Sequence, residues 1–206
     1  LVRQAEVLGA LSAEALRAST SPFEALGHEV ARPHPGQLDT AANLRALLEG
    51  SRRVRTHTEM DHAVDDEGHP IQDAYSLRCI PQIVGAERGT LHHTCEVVRR
   101  DLNASTDNPL LFEHGMFFHG GNFHGQPVAF AMDFAKTAMI QLSVLSERRT
   151  NRLLAASLNH GLPAFLVGAA PGLHSGFAGA QYPAPALVAE HRALAPPASI
   201  QRIPAH

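Results

Sequence analysis

Gly120-Gly121-Asn122-Phe123-His124-Gly125-Gln126-Pro127 opens the longest helical pattern in the chain, which runs on from Val128 to about Ala156 without another Pro or Gly. Pro127 suits a first helical turn, where its missing N–H costs little and its fixed φ is already helical. At ~1.5 Å per residue the pattern is longer than roughly 40 Å, and a rod of that length needs neighbours along its apolar side. Phe130, Phe134, Ile140, Leu145 and Leu153 supply that side and make it the central rod of a helical bundle. Glu147-Arg148-Arg149 with Arg152 is a charge cluster within the rod, read as a salt-bridge network between helices or subunits. The turn before the rod reads locally as a glycine turn with Asn122 as its polar cap. It is also where the free N–H groups of a helix start can meet a negatively charged ligand.

Composition narrows the class. A chain of 206 residues has enough length to bury a core, and its net charge of −3 with no basic tract argues against a nucleic-acid binder. No apolar run is read as approaching the ~20 residues of a membrane span, and Leu1-Val2-Arg3-Gln4-Ala5-Glu6 resembles amphipathic helix rather than a signal peptide, so the expected compartment is the cytosol. Cys79 and Cys95 lack ligand spacing and are expected reduced and buried. His92, His93, His114, His119 and His124 are the candidates for a metal site, but no helical His-x-x-x-His pair or carboxylate at ligand spacing accompanies them, so surface and turn histidines are the reading adopted. The chain has no start methionine and opens and closes in mid-pattern, as expected of a fragment.

Upstream of the rod, Leu1 to Arg17 reads as a helix, a turn at Ser12-Ala13-Glu14 and a second short helix. Ser21-Pro22-Phe23 opens another short helical piece. Arg32-Pro33-His34-Pro35-Gly36-Gln37 reads as an extended loop, followed by a helix Ala41 to Leu48 capped by Asp39 or Thr40 and ended by Gly50. Residues 51–70 are polar and charged and are expected to form an interface or active-site loop. That loop leads into Gln72-Asp73-Ala74-Tyr75-Ser76-Leu77-Arg78. Residues three apart share a helical face, so Gln72, Tyr75 and Arg78 point together, and an Arg flanked by neutral donors can take a carboxylate in bidentate fashion. The competing structural reading pairs Arg78 with Asp73 or Glu87.

Ile83 to Leu102 is a second long helix, with Leu91, Cys95, Val98 and Leu102 as its expected core stripe after an interruption at Pro81. Asn103 to Pro109 is a turn cluster, and Leu110 to Phe118 a short apolar passage with a tight turn at Gly115. A last helix is expected to reach Ala193, kinked by Pro183 and Pro185.

Six landmarks in order carry a resemblance: the segments 32–37, 72–79, Ser105-Thr106-Asp107-Asn108-Pro109-Leu110, 120–127, Leu145-Ser146-Glu147-Arg148-Arg149 and Gly172-Leu173-His174-Ser175-Gly176-Phe177. Together they resemble the aromatic amino acid ammonia-lyases, with the histidine, phenylalanine and tyrosine enzymes and the related aminomutases. The likeness spans residues 1–206 as a single region. It implies an all-α, long-helix bundle of the ammonia-lyase (fumarase/aspartase-like) type, completed by homotetramerisation. It also implies a 4-methylideneimidazole-5-one prosthetic group formed from an internal Ala-Ser-Gly, which captures an aromatic amino acid so that its amine can leave.

Carried over by the resemblance, Arg78 grips the substrate carboxylate with Gln72 and Tyr75 beside it, Asn122 helps hold that carboxylate, and Phe123 packs by the prosthetic group. The departures are equally specific. No Ala-Ser-Gly occurs; Ala156-Ser157-Leu158 and His174-Ser175-Gly176 come nearest, so no catalytic residue is assigned here. The prosthetic group and the loop tyrosine are expected in an N-terminal part of the same enzyme, leaving this chain inactive alone. Gly125-Gln126 after Asn-Phe-His and Gly179-Ala180-Gln181 favour tyrosine or phenylalanine over histidine as substrate. The alternatives are a 2,3-aminomutase and a non-catalytic helical scaffold or partner subunit.

Overall fold

The computed structural model describes residues 1–55 and 72–201. Its helices are α1 (Val2–Ala15), α2 (Ala25–Glu29), α3 (Pro35–Leu48), α4 (Tyr75–Arg78), α5 (Ile80–Asp101), α6 (Gln126–Leu154) and α7 (Pro183–Ala193). A two-stranded antiparallel hairpin, β1 (Leu110–Leu111) and β2 (Phe117–Phe118), pairs Leu110 with Phe118. The fold is an all-α bundle. Its centre is α5, which lies between α3 on one side and α6 on the other, while α1 crosses α3 and α5 and α7 packs on α6. Leu16, Phe23, Leu44, Leu77, Ile80 and Val84 are each at most 1% exposed and form the core where these helices meet.

Several local expectations are corrected. α1 is continuous through Ser12-Ala13-Glu14, because the Ser12 hydroxyl donates back to the Leu8 carbonyl at 2.6 Å instead of breaking the helix. Pro35 starts α3, so Gly36, Gln37, Asp39 and Thr40 lie inside the helix, and His34 takes the cap position. Pro81 likewise sits in the first turn of α5 rather than interrupting it. Pro183 and Pro185 lie in the first turn of α7, where the N–H groups have no intrahelical acceptor, so they start that helix and do not kink it. The helix ends expected at Leu48 and Ala193 are found there.

The expected core stripe of α5 faces elsewhere. Leu102 is 80% exposed, Cys95 is exposed, and Leu91 and Val98 are only half-buried. The buried face is Ile80, Pro81, Val84, Gly85, Glu87, Thr90 and Thr94. The reason is the contact with α3: a Cβ on Gly36 would stand 2.1 Å from the Gly85 carbonyl oxygen, so the two backbones touch through their glycines and set the rotation of α5. The threonines are tolerated inside because each hydroxyl has an acceptor, Thr90 to Ala86 O at 3.0 Å and Thr94 to Thr90 O at 2.9 Å and Ala131 O at 3.2 Å. Cys79 is half-buried and Cys95 exposed, which corrects the expectation that both are buried; both are free thiols.

α6 begins and ends within two residues of its expected bounds. Its buried positions are Ala131, Ala138, Leu145, Glu147, Arg149 and Leu154, and Phe130 and Phe134 are about half exposed on this chain. By length and composition alone α6 is also apolar enough to cross a membrane, with a mean hydropathy of 1.4 over an 18-residue window, which corrects the sequence reading on that point. The helix packs on α5 and α7 and carries Glu147, Arg148, Arg149 and Arg152 in its last turns, the pattern of a bundle helix.

The charge cluster of α6 is partly local, through Arg148 and Arg152, and partly between helices, where Arg149 faces the charge of Glu87 on α5. Glu147 accepts two bonds from Arg148, both at 2.5 Å, and Arg152 donates to Leu158 O at 2.8 Å. Arg149 is 5% exposed with no hydrogen bond to its Nε or Nη1, and both carboxylate oxygens of Glu87 are likewise sealed without one. Burial pushes the Glu87 carboxyl up from 4.5 to about 8, with the Arg149 charge opposing the rise. A raised carboxylate favours the fold most below its unfolded value and loses that contribution as pH climbs through its folded value. Stability is therefore expected to fall between about pH 4.5 and 8 through this group. Glu87→Gln should flatten that slope and raise the denaturation midpoint at pH 9 relative to wild type, measured by urea titration at pH 6 and pH 9; an unchanged slope refutes the assignment.

Candidate functional site

The first cluster is built on α4. Leu77, 1% exposed, anchors this single turn in the core, and the N–H groups of Leu77 and Arg78 donate to Ala74 O at 2.9 and 3.0 Å. With Leu77 turned inward, Tyr75 and Arg78, three apart, share the outer face. Tyr75 is 69% exposed, and the Arg78 guanidinium carbon stands 4.8 Å from its ring centroid. Arg78 Nη1 donates to Gln72 Oε1 in a short contact. Gln72, Tyr75 and Arg78 thus come together as their spacing predicts.

The competing ion pair does not form. Asp73 is 4% exposed, accepts the Ser19 N–H at 2.6 Å, and takes Arg55 Nη2 at 3.3 Å as its ionic partner. Arg55 in turn accepts the Thr20 N–H at its carbonyl and donates its own N–H to Ala18 O, both at 2.9 Å. Asp73 therefore clamps the entry to α4 against residues 18–20, with its charge committed to Arg55. This role was missed in the sequence because its partners lie 18 and 54 residues away. The loop expected over 51–70 lies mostly outside the described residues; 51–55 is its described end.

The second cluster is the turn before α6. Gly120 N–H donates to Asn108 Oδ1 at 2.9 Å, and a Cβ on Gly120 would stand 2.2 Å from the Phe118 ring, so a side chain there would push that half-exposed ring aside. His124 N–H closes onto Gly121 O at 2.9 Å, and His124 Nδ1 accepts the Gln126 N–H at 3.3 Å. The His124 imidazole therefore lies over the first amide of α6. The expectation that Asn122 caps the helix is corrected by this arrangement. Asn122 instead points its Nδ2 at Ser105 O, 3.5 Å away, and Phe123 is 61% exposed beside it.

Among the described residues no hydrogen bond, ion pair or ring contact joins Asn122 or Phe123 to Gln72, Tyr75 or Arg78. The chain presents two open patches, one built around a guanidinium and one around an amide and a phenyl ring. The first can bind a carboxylate, with the forked donors of Arg78 aimed by Gln72. The second has an uncovered ring and a loosely held amide, which fit one side of a flat organic group. Among the described residues no three of His, Cys, Asp and Glu converge as a metal site.

The comparisons bear on what these patches belong to. A family model described as aromatic amino acid lyase matches residues 1–206. The chain is 56% identical to a tyrosine ammonia-lyase of Cupriavidus metallidurans, covering 100% of this chain and 40% of that protein. It is 54% identical to an MIO-dependent tyrosine 2,3-aminomutase of Streptomyces globisporus, covering 99% of this chain and 40% of that protein. The crystal structure of tyrosine aminomutase from Streptomyces globisporus superposes with a TM-score of 0.91 at 54% identity, over 100% of this chain and 41% of the other. The chain thus spans about two fifths of the length of these relatives, and with its whole length matched and its bundle reproduced, it belongs to the aromatic amino acid lyase family.

Proposed function

We propose that this chain is part of a carbon–nitrogen lyase that eliminates ammonia from an aromatic L-amino acid, with tyrosine or phenylalanine favoured over histidine. The observation that carries this reading is Arg78. Its guanidinium is held between the Gln72 amide and the Tyr75 ring, while the neighbouring acid, Asp73, is already paired with Arg55. A cation so placed is free to take the carboxylate of an amino acid in two parallel hydrogen bonds. Gln72 fixes the plane of the guanidinium, Tyr75 offers its phenol to the bound ligand, and Asn122 supplies a second donor. Holding the carboxylate fixes the rest of the amino acid, and orientation is most of what these positions contribute to an elimination.

The prosthetic group of this reading is 4-methylideneimidazole-5-one, which supplies the electrophile that captures the substrate. This chain has no Ala-Ser-Gly, so its residues flank the group and do not form it. Phe123 is the residue this reading puts against the group, and its 61% exposure leaves the ring open to such a contact. In this reading the complete site is assembled with other copies and with the N-terminal part of the enzyme, in a homotetramer located in the cytosol.

A 2,3-aminomutase is the second reading, supported by the near-equal similarity to a tyrosine aminomutase. Incubating the full-length protein separately with tyrosine, phenylalanine and histidine separates the outcomes. Ultraviolet absorbance of the conjugated acid from tyrosine or phenylalanine supports the lyase, and a β-amino acid product assigns the aminomutase. Urocanate alone overturns the substrate choice. A full-length protein without Ala-Ser-Gly and without turnover is the scaffold alternative.

A further inference from the structure

Asp133 lies two turns into α6, between Met132 and Phe134, in a stretch otherwise built for packing. Its carboxylate is occupied by a distant segment. Asp133 Oδ1 accepts the Ala198 N–H at 3.2 Å and Oδ2 accepts the Ser199 N–H at 2.8 Å, so one side chain caps both leading amides of the 3-10 turn Ala198–Ile200. Lys136, one turn on, donates from Nζ to Asp133 Oδ1 at 2.8 Å and to Pro196 O at 2.9 Å. The Lys136 ammonium and the Ser199 groups hold the Asp133 carboxyl far below the usual carboxylate range. Two side chains of α6 thus grip three points of a segment 60 to 66 residues away.

What the grip holds is a wall. A cleft of about 420 Å³ lies between that segment and the turn described above, with His124, Gly125, Gln126, Asp133, Ala198 and Ser199 among its lining residues. Its width depends on where Ala198 and Ser199 sit, and Asp133 decides that. In the chain, Asn122 and Phe123 come just before the turn side of the cleft.

We infer that Asp133 is a positioning residue, with Lys136 as its partner: it docks the 196–200 segment opposite the His124–Gln126 turn and so sets the width of the cleft beside the turn that also carries Asn122 and Phe123. The consequence for catalysis rests on the lyase reading; the docking itself does not. Asp133 lines the cleft too, so the exchange of the segment it holds is read beside the kinetics.

The test uses the full-length enzyme. Amide hydrogen exchange at Ala198 and Ser199 should quicken at least about ten-fold in Asp133→Ala, since two charge-assisted bonds are lost. KM for the aromatic amino acid should rise about ten-fold with a smaller change in kcat, because the wall is displaced while the reacting groups remain. Lys136→Met leaves both amide bonds to Asp133 and removes the ion pair with Asp133 and the bond to Pro196 O, so it should move the same readouts in the same direction by less. Unchanged exchange at residues 198 and 199 overturns the docking role. Faster exchange with KM unchanged, or a loss confined to the folded fraction, overturns the positioning role. If Asp133→Ala does not fold, Lys136→Met decides by the same two readouts. Absence of wild-type turnover on all aromatic substrates defeats the lyase reading instead, and the exchange measurement still decides the docking.

Discussion

Gly85→Ala is expected to destabilise the protein by about 3 kcal/mol or more, the upper range for forcing extra volume into a packed contact. A Cβ on Gly85 would lie 2.5 Å from both Cα and N of Gln37 and 2.7 Å from the Gly36 carbonyl carbon. These are backbone atoms, so no rotamer change relieves the clash, and α3 must lift from α5. The cost then spreads. Gln37, 3% exposed, donates to His28 Nδ1 at 2.9 Å, and His28 Nε2 in turn donates to Pro22 O at 2.8 Å. Displacing the first turn of α3 leaves these buried polar groups without partners, each a further penalty.

Gly89→Ala is the matched control. It sits one turn along the same helix with nothing within 4 Å of the added methyl, and replacing a helical glycine there should be neutral or stabilising by up to about 1 kcal/mol. Thermal or urea unfolding of the full-length protein compares the two. Equal midpoints for Gly85→Ala and wild type would refute the backbone contact between α3 and α5.

Arg78→Ala in the full-length enzyme is expected to raise KM for the amino acid about a hundred-fold, the equivalent of a lost bidentate, charge-assisted contact worth roughly 3 kcal/mol. Stability should be nearly unchanged, because the contacts Arg78 makes are with Gln72 and the 69% exposed Tyr75 at the surface. Arg78→Lys should fall between, since a lysine keeps the charge but cannot present two parallel donors. Steady-state kinetics of the three proteins decide the matter. A KM that does not move removes Arg78 from the carboxylate site, and a large fall in melting temperature would make it a structural residue.

Much of this was legible along the chain. The absence of Gly and Pro after Pro127 set the length of α6, and the three-residue spacing of Tyr75 and Arg78 set their shared face, because both depend only on backbone rules that act over one or two turns. The ordered motifs pointed to the family that the whole-length match then showed. Prolines were harder to place. Pro35, Pro81 and Pro183 mark breaks in the sequence, yet all three begin helices, since a residue without an N–H is unwelcome inside a helix and harmless at its start.

What only the tertiary structure decided were the relations between distant residues. Periodicity offers Leu91, Cys95, Val98 and Leu102 as the inner face of α5, but the glycine contact with α3 turns that helix so that Glu87, Thr90 and Thr94 face inward. A rotation of ~100° separates adjacent residues on a helix, so one close backbone contact is enough to exchange one face for the next. Asp73 beside Arg78 looks like its ion partner in sequence; Arg55 takes that place because the chain folds back to residues 18–20. Asp133 shows nothing unusual until Ala198 and Ser199 arrive at its carboxylate. Local geometry can be read residue by residue, but hydrogen-bond partners and buried faces are pairwise properties that exist only once the elements have packed.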